Sequence, residues 1–155
     1  MKIVVINGPN LNFLGIREPH IYGNSSLNDL EKKIKNYSCE RQIDVQFFQS
    51  NSEGALIDYL QSCYYEKVEG IIINPGAYTH YSYALSDAIK SISIPTIEVH
   101  ISHIHNREEF RKHSVTASSC IGVIEGFGME SYRIALDAML YYLEKQKSEE
   151  TENEN

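Results

Sequence analysis

Short apolar runs alternate along this chain with segments in which apolar residues recur every three or four positions. The apolar runs predict β-strands at residues 3–6, 45–48, 71–73, 95–99 and 121–124. The helical spacing predicts α-helices at residues 27–37, 56–64, 83–92 and 132–143, the first capped by Ser25 or Ser26. This alternation predicts an α/β fold with a parallel sheet covered by helices on both faces. At this length we expect a flavodoxin-like fold, with five parallel strands in the order 2-1-3-4-5.

Polar residues cluster directly after the predicted strands. In open parallel sheets the ligand site lies at the carboxyl ends of the strands, so these positions are the candidates for chemistry. The polar segments that follow the strands are residues 7–23, 49–53, 74–80, 98–111 and 125–128. The sequence therefore predicts that residues from all five segments meet at one edge of the sheet.

The segment at residues 7–23 is too rich in Gly, Pro and Asn for a regular helix or strand, yet it carries Arg17 and Tyr22. A loop of this length in a compact domain is usually functional or disordered, and its apolar residues favour an ordered loop. A free tyrosine has a pKa near 10, and a neighbouring arginine lowers the pKa of such a group. Tyr22 is thus a candidate general base; alternatively, it only packs against the core.

Glu98 and His100 lie two residues apart in a predicted strand, and their side chains are therefore expected to share a face. A carboxylate beside an imidazole fixes the orientation of the ring and favours its charged form, as a general acid requires. The alternative is an ion pair at the end of a strand without a catalytic role.

Four further residues are candidates for substrate contacts. Asn74 and His80 follow the third strand and can bind hydroxyl groups, although Asn74 alone could simply cap a turn. Arg107 and Arg111 lie one helical turn apart and could meet an anionic substrate, or could form solvated ion pairs with Glu108 and Glu109.

A metal site is the obvious competing interpretation of the histidines. His100, His103 and His105 are close in sequence, and His80 is expected near them in space. Their spacing matches no standard zinc motif, so we expect no metal. The chain also lacks a Walker A motif, a dinucleotide-binding glycine motif and a Gly-x-Ser-x-Gly motif, which disfavours nucleotide binding and serine hydrolase chemistry.

Length and charge narrow the possible partners. Residues 1–147 are expected to form a single domain, and residues 148–155, with four glutamates and no basic residue, a disordered acidic tail. The formal net charge of −7 argues against a nucleic-acid partner. No apolar run approaches the roughly 20 residues of a membrane span, so we expect a cytoplasmic protein without a membrane partner.

Six segments together resemble the type II 3-dehydroquinate dehydratase family, in the right order and spacing from residue 3 to about residue 143. These segments are Asn7 to Asn12 with Arg17 to Pro19 and Ile21 to Gly23; Gln49 to Gly54; Asn74 to His80; Glu98 to Ser102; Arg107 to Arg111; and Gly126 to Gly128. The resemblance implies a flavodoxin-like homododecamer, built as a tetramer of trimers. It also implies dehydration of 3-dehydroquinate to 3-dehydroshikimate by trans elimination through an enolate, without a Schiff base, metal or organic cofactor.

The resemblance also implies roles for particular residues. Tyr22 would remove the proton next to the ketone with Arg17 tuning it, and His100, oriented by Glu98, would protonate the leaving hydroxyl. Asn10 would help to stabilise the enolate through a water molecule. The implied substrate ligands are Asn74, His80 and Arg111, the backbone N–H groups of Ile101 and Ser102, and Asp87 from a neighbouring subunit.

The chain departs from the family pattern at three positions. Tyr81 stands where threonine is common, Ser86 where arginine is common, and His103 where asparagine is common. The first two lie on the expected subunit-contact side, so the trimer contact is less securely implied than the site. Two other functions stay open at this stage, namely a module that binds a small anion without chemistry and a metal-dependent hydrolase.

Overall fold

Five parallel β-strands form the centre of the protein, in a computed structural model that describes residues 1–153. The strands are β1 (Lys2–Asn7), β2 (Asp44–Gln49), β3 (Gly70–Asn74), β4 (Thr96–His100) and β5 (Gly122–Glu125). Their order in the sheet is β2-β1-β3-β4-β5, and every neighbouring pair is parallel. The predicted strand order is therefore confirmed.

Five α-helices connect or follow the strands. They are α1 (Pro19–Tyr22), α2 (Leu27–Cys39), α3 (Glu53–Tyr65), α4 (Tyr83–Ile92) and α5 (Glu130–Asn153). Serine side chains accept a hydrogen bond from the backbone three residues on and so cap the helices that begin after Ser26, Ser52 and Ser82. Two serines were proposed as the N-cap of the first predicted helix, and Ser26 is the one that caps it.

Apolar residues fill both faces of the sheet, which explains why the strands read as continuous apolar runs. In β1, Ile3 and Val5 pack with α2 and α5, whereas Val4 and Ile6 pack with α3 and α4. Successive side chains of a strand point to opposite faces, so a strand between two helical layers needs an apolar residue at every position.

The loop over residues 7–23 contains more regular structure than its composition predicted. It includes a 3-10 turn at Leu11–Phe13 and the single-turn helix α1. The fixed φ angle of Pro19 suits the first turn of a helix. A segment rich in residues that interrupt helices can therefore still begin a helix at this proline. Leu11 and Leu14 are buried and hold the loop against the sheet.

The acidic segment at residues 148–155 was expected to be disordered, but the structure continues α5 as far as Asn153. The side chains of residues 148–153 are exposed, and local contacts such as the hydrogen bond from Ser148 to the Glu144 carbonyl follow helical spacing. Glu154 and Asn155 lie outside the described residues. Among the residues that are described, no helix has the length and apolarity that a membrane span requires.

The register of the sheet aligns polar residues at its carboxyl edge. Asn7 at the end of β1 pairs with Gln49 of β2 and with Asn74 of β3, and His100 of β4 pairs with Glu125 of β5. The loops that follow these residues therefore begin side by side along the carboxyl edge of the sheet, which brings the predicted site residues together.

Candidate active site

A pocket at the carboxyl edge of the sheet collects most of the residues singled out in the sequence. It is lined by Pro9, Leu11, Arg17, Tyr22, Asn74, Gly76, Ala77, His80, His100, Ile101, Ser102, Ile104, Arg107 and Arg111. Glu98 lies directly beneath His100, fully buried. Thus segments separated by more than 80 residues in the chain supply one continuous surface.

Two arginines flank Tyr22 at the rim of the pocket. The Arg17 guanidinium lies 5.0 Å from the centre of the Tyr22 ring, as the prediction of a contact requires. The phenol oxygen, however, accepts its hydrogen bond from Arg107 Nη1, at 2.7 Å. Arg107 also donates to Ser102 Oγ at 3.2 Å, which anchors the guanidinium beside the pocket. Tyr22 therefore has positive charge both over its ring and at its oxygen.

Arg107 is the residue that the sequence analysis left between a substrate contact and a solvated ion pair. The structure places Arg107 in the lining of the pocket, because the segment after β4 turns back through a 3-10 turn at Ile104–Asn106, and Arg107 Nε also lies 4.0 Å from Glu108 Oε2. This chain reversal depends on tertiary contacts. In the sequence, the only sign that Arg107 belongs to the site was its position in one of the segments that resemble the family.

A close approach between two loops positions Pro9 and Asn10. Gly8 donates to the Asn74 carbonyl at 2.8 Å, and a Cβ atom on Gly8 would lie 2.5 Å from the Pro75 carbonyl oxygen. Only glycine allows this contact. The loop that carries Tyr22 is thereby fastened to the segment that carries His80.

Glu98 and His100 form a buried pair on one face of β4. His100 Nε2 lies 2.7 Å from Glu98 Oε1, so the shared face expected from their spacing is observed. With Nε2 held by the carboxylate, Nδ1 is the nitrogen left for chemistry in the pocket. The pair lies at the end of a strand that is buried along its whole length.

Two hydroxyl groups complete the environment of the Glu98 carboxylate. Thr116 Oγ1 donates to Oε2 at 2.6 Å, and Ser114 Oγ lies 3.1 and 3.2 Å from the two oxygens. A buried carboxylate is costly unless its oxygens are hydrogen-bonded, and these donors meet that need. The sequence analysis missed both residues, since nothing in their spacing distinguishes them from ordinary loop residues.

A second buried network fixes Asn74. Its Nδ2 donates to the Tyr132 hydroxyl at 2.9 Å, its Oδ1 accepts from the Gly76 N–H at 3.1 Å, and Tyr132 donates to Asn7 Oδ1 at 2.6 Å. Complete burial raises the pKa of Tyr132 well above its usual range, so this hydroxyl stays protonated. Tyr132 was predicted only as an apolar helix position, and its role in holding Asn74 depends on a contact 58 residues away in the chain.

His80 is oriented by the backbone of a neighbouring loop. Its Nδ1 lies 2.8 Å from the His113 carbonyl oxygen, so this nitrogen carries a proton and donates. Partial burial lowers the pKa of His80, aided by the positive charge of Arg111 and opposed by the His113 carbonyl. Arg111 pairs with Glu108, and this pairing lowers the pKa of the Glu108 carboxyl group.

Asn10 and Asp87 do not line the pocket. The Asn10 backbone N–H donates to Asn51 Oδ1 at 3.0 Å, and Asn10 itself is exposed. Asp87 is exposed on α4, away from the pocket of its own chain. The roles that the resemblance implied for these two residues therefore need a bound water and a neighbouring subunit, respectively.

Comparison with known proteins finds relatives over most of the chain. The sequence model of the family described as dehydroquinase class II matches residues 1–140. A 3-dehydroquinate dehydratase of Caldicellulosiruptor bescii is 62% identical over 138 residues, which cover 89% of this chain and 95% of the relative. A protein of the same name from Clostridium acetobutylicum is 59% identical over 145 residues, covering 94% of this chain and all of the relative.

Solved structures give the same result. The crystal structure of type II dehydroquinase from Butyrivibrio crossotus has a TM-score of 0.89 and 55% identity, and the match covers 90% of this chain and 97% of that one. The enzyme of the same type from Propionibacterium acnes has a TM-score of 0.86 at 40% identity, with coverage of 89% and 94%. Because the family model, full-length relatives and the fold agree, this chain belongs to the class II dehydroquinase family.

Proposed function

We propose that this protein is a hydro-lyase that converts 3-dehydroquinate to 3-dehydroshikimate, in the shikimate pathway, by trans elimination through an enolate. The observation that carries this proposal is that one pocket holds two polar groups of residues. Tyr22 with its two arginines lies on the loop side, and His100 with Glu98 lies on the sheet side. The first group suits a base and the second an acid, which are the two functions that loss of water requires.

Tyr22 removes the proton from the carbon next to the ketone. A phenolate is a stronger base than a carboxylate or an imidazole, but it must be stabilised to be present at neutral pH. Arg107 donates a charge-assisted hydrogen bond to the phenol oxygen, and Arg17 lies over the ring. These contacts place positive charge beside the phenol oxygen before the substrate arrives, so that little reorganisation is needed during proton transfer.

His100 delivers a proton to the leaving hydroxyl group. Glu98 fixes the ring through Nε2, so Nδ1 faces the substrate, and the carboxylate compensates for the positive charge of the protonated ring. The hydroxyls of Ser114 and Thr116 keep the carboxylate in place. Water is then released as the carbon–oxygen bond of the enolate intermediate breaks.

The remaining residues bind and orient the substrate. Asn74, His80 and Arg111 hold its hydroxyl groups, and the backbone N–H groups of Ile101 and Ser102 hold its carboxylate. Asn10 assists the enolate through a bound water. Asp87 completes the site of a neighbouring subunit, and its exposure on α4 supports that placement. A homododecamer, built as a tetramer of trimers and located in the cytoplasm, belongs to the same proposal; light scattering during gel filtration measures the assembly.

The reaction itself is tested by the ultraviolet absorbance of the conjugated enone that dehydration creates. On adding 3-dehydroquinate, we expect the absorbance to rise with the unmodified protein and in the presence of a chelator. Tyr22→Phe and His100→Ala are each expected to lower kcat by about 10²–10⁴-fold, with KM changed little. Tyr65→Phe, at an exposed tyrosine outside the pocket, serves as the matched control.

Two results would contradict the proposal. Full turnover in Tyr22→Phe or His100→Ala would exclude the assigned base or acid. No absorbance change with the unmodified protein would instead favour a module that binds a small anion without chemistry.

A further inference from the structure

The loops that follow β4 and β5 bring two histidines and a glutamate together outside the catalytic pocket. His105 Nδ1 lies 2.6 Å from Glu125 Oε1, and His103 Nε2 lies 3.3 Å from the same oxygen. One ligand atom from each of the three residues lies within 4.8 Å of the others. We propose that His103, His105 and Glu125 form a binding site for a divalent transition-metal ion of the Zn²⁺ class.

The donor set and its spacing suit such an ion. Zn²⁺ accepts imidazole nitrogen and carboxylate oxygen at roughly 2.0–2.2 Å, so two ligands at a tetrahedral angle lie about 3.4 Å apart. The separation between His103 and Glu125 already has this value, and the His105 contact needs to lengthen by less than about 1 Å. Three protein ligands leave the fourth position open for water or another small ligand.

The backbone holds the three residues in place before any ion arrives. Glu125 pairs in register with His100, and the Gly126 N–H donates to the His100 carbonyl at 3.3 Å. Gly126 has φ of +91°, and a Cβ atom there would lie 3.2 Å from His103 Cβ. A glycine at this position therefore lets His103 lie directly against the loop that follows Glu125. Preorganised ligands lose little conformational entropy on binding.

The charge balance around Glu125 also favours a cation. Its side chain is only 16% exposed, whereas those of His103 and His105 are 61% and 56% exposed. Within residues 1–153, no lysine or arginine pairs with this carboxylate, and its buried Oε2 has no hydrogen-bond partner. A metal ion would supply the missing positive charge from the solvent side, where the two histidines leave an open path.

The position of the site gives the ion a structural effect. His103 and His105 alternate along the chain with Ser102 and Ile104, which line the catalytic pocket. A bound ion would tie this segment to the end of β5 and stabilise the folded protein. The ion would not take part in the dehydration, since none of its three ligands lines the pocket.

The test is isothermal titration of chelator-treated protein with Zn²⁺, together with the visible absorbance of the Co²⁺ form. We expect one ion per chain and a rise in Tm on addition of Zn²⁺. Glu125→Gln and His103→Asn should each weaken binding by more than about tenfold. His20→Asn, at an exposed histidine outside the cluster, should bind as the unmodified protein does.

Circular dichroism of each variant shows whether weaker binding comes from the missing metal-binding side chain or from a disturbed fold. His103→Asn changes a side chain that is mostly exposed, so it remains informative should Glu125→Gln disturb the end of β5. Absence of Zn²⁺ binding by the unmodified protein would overturn the proposal. Equal affinity in a folded His103→Asn or Glu125→Gln variant would also overturn it, because the ion would then lie elsewhere.

Discussion

At the scale of single residues, the site depends on side chains that hold the reacting groups as much as on those groups themselves. Tyr22 relies on Arg107, His100 on Glu98, and Asn74 on Tyr132. In each pair the supporting residue lies beneath or beside the pocket and fixes one hydrogen-bonding atom of its partner. Substituting the supporting residue should therefore alter catalysis without removing a reacting group.

Arg107→Gln is expected to lower kcat by about 10²-fold, because the phenol oxygen of Tyr22 loses its charged donor. The effect should be larger on kcat than on KM, and steady-state assays with 3-dehydroquinate measure both. Arg133→Gln is the control, since Arg133 pairs with Glu130 and Asp137 on the surface of α5. An unchanged kcat in Arg107→Gln would show that Arg17 alone supports Tyr22.

His80 makes the stability of the fold depend on pH. Its pKa is lowered in the folded state by burial, whereas a free histidine has a pKa near 6.5. The unfolded chain therefore binds more protons in the interval between these two values, and the contribution of His80 to stability is lost as the pH falls through it. Well above pH 6.5 both states are deprotonated at this residue, and it contributes no pH dependence.

Urea unfolding between pH 8 and pH 5 measures this effect. In His80→Asn the loss of unfolding free energy on acidification should be smaller than in the unmodified protein. Asparagine can still donate to the His113 carbonyl, so the comparison isolates the titration from the hydrogen bond. Identical pH profiles for the two proteins would rule out His80 as the group responsible.

At the scale of elements, the ends of helices and strands place the site. The carboxyl ends of β1, β3 and β4 deliver Asn7, Asn74 and His100 at the edge of the sheet. Helix α2 follows the Tyr22 loop directly and begins with a reciprocal cap, in which Ser26 Oγ accepts from the Asp29 N–H and Asp29 accepts from the Ser26 N–H. The hydrogen bond from the Ser26 backbone lowers the pKa of Asp29. The cap thus defines where the loop ends.

Ser26→Ala is expected to destabilise the protein by about 1 kcal/mol, because an N–H group at the start of α2 loses its acceptor. Chemical unfolding measures the difference. Ser25→Ala is the matched control, since Ser25 precedes the cap and is exposed. Equal losses in the two variants would contradict the assignment of Ser26 as the cap.

At the scale of the whole molecule, the two apolar layers and the active site lie within residues 1–143. Leu143 is the last buried residue, and the helix beyond it is exposed as far as the structure describes it. Its contacts are exposed, such as the pairing of Lys145 with Glu149 at 3.7 Å, and such pairs contribute little to stability. The acidic end of α5 therefore lies outside both apolar layers.

Removal of residues 148–155 is expected to change the unfolding free energy by less than about 0.5 kcal/mol and to leave turnover unchanged. Circular dichroism should show a small loss of helix from the end of α5. A large drop in Tm or in activity would indicate that this segment contacts a neighbouring subunit.

Much of the fold was predictable from the sequence, since its signals are local. The covered parallel sheet followed from five apolar runs alternating with helical segments, because a strand between two helical layers must be apolar throughout. The strand order was the flavodoxin-like order expected for a chain of this length. Glu98 and His100 could be paired from their spacing alone, because residues two apart in a strand share a face. The acidic segment expected to be disordered is described as part of α5 as far as Asn153, since glutamate is common both in helices and in disordered segments.

The sequence did not predict which carboxylate each histidine contacts. The sequence grouped His100, His103 and His105 as one possible metal set, but the structure turns His100 towards Glu98 and the other two towards Glu125. Likewise, Arg107 rather than Arg17 reaches the Tyr22 oxygen.

The sequence by itself determined the layers, the strand order and the segments that meet at the carboxyl edge, because these depend on periodicity and on the handedness of chain connections. Only the tertiary structure decided which donor meets which acceptor, because a hydrogen bond forms within about 3 Å and loop reversals set that distance. Glu125 illustrates the difference. In the sequence it is one acid after a strand, and in the structure it lies between two histidines.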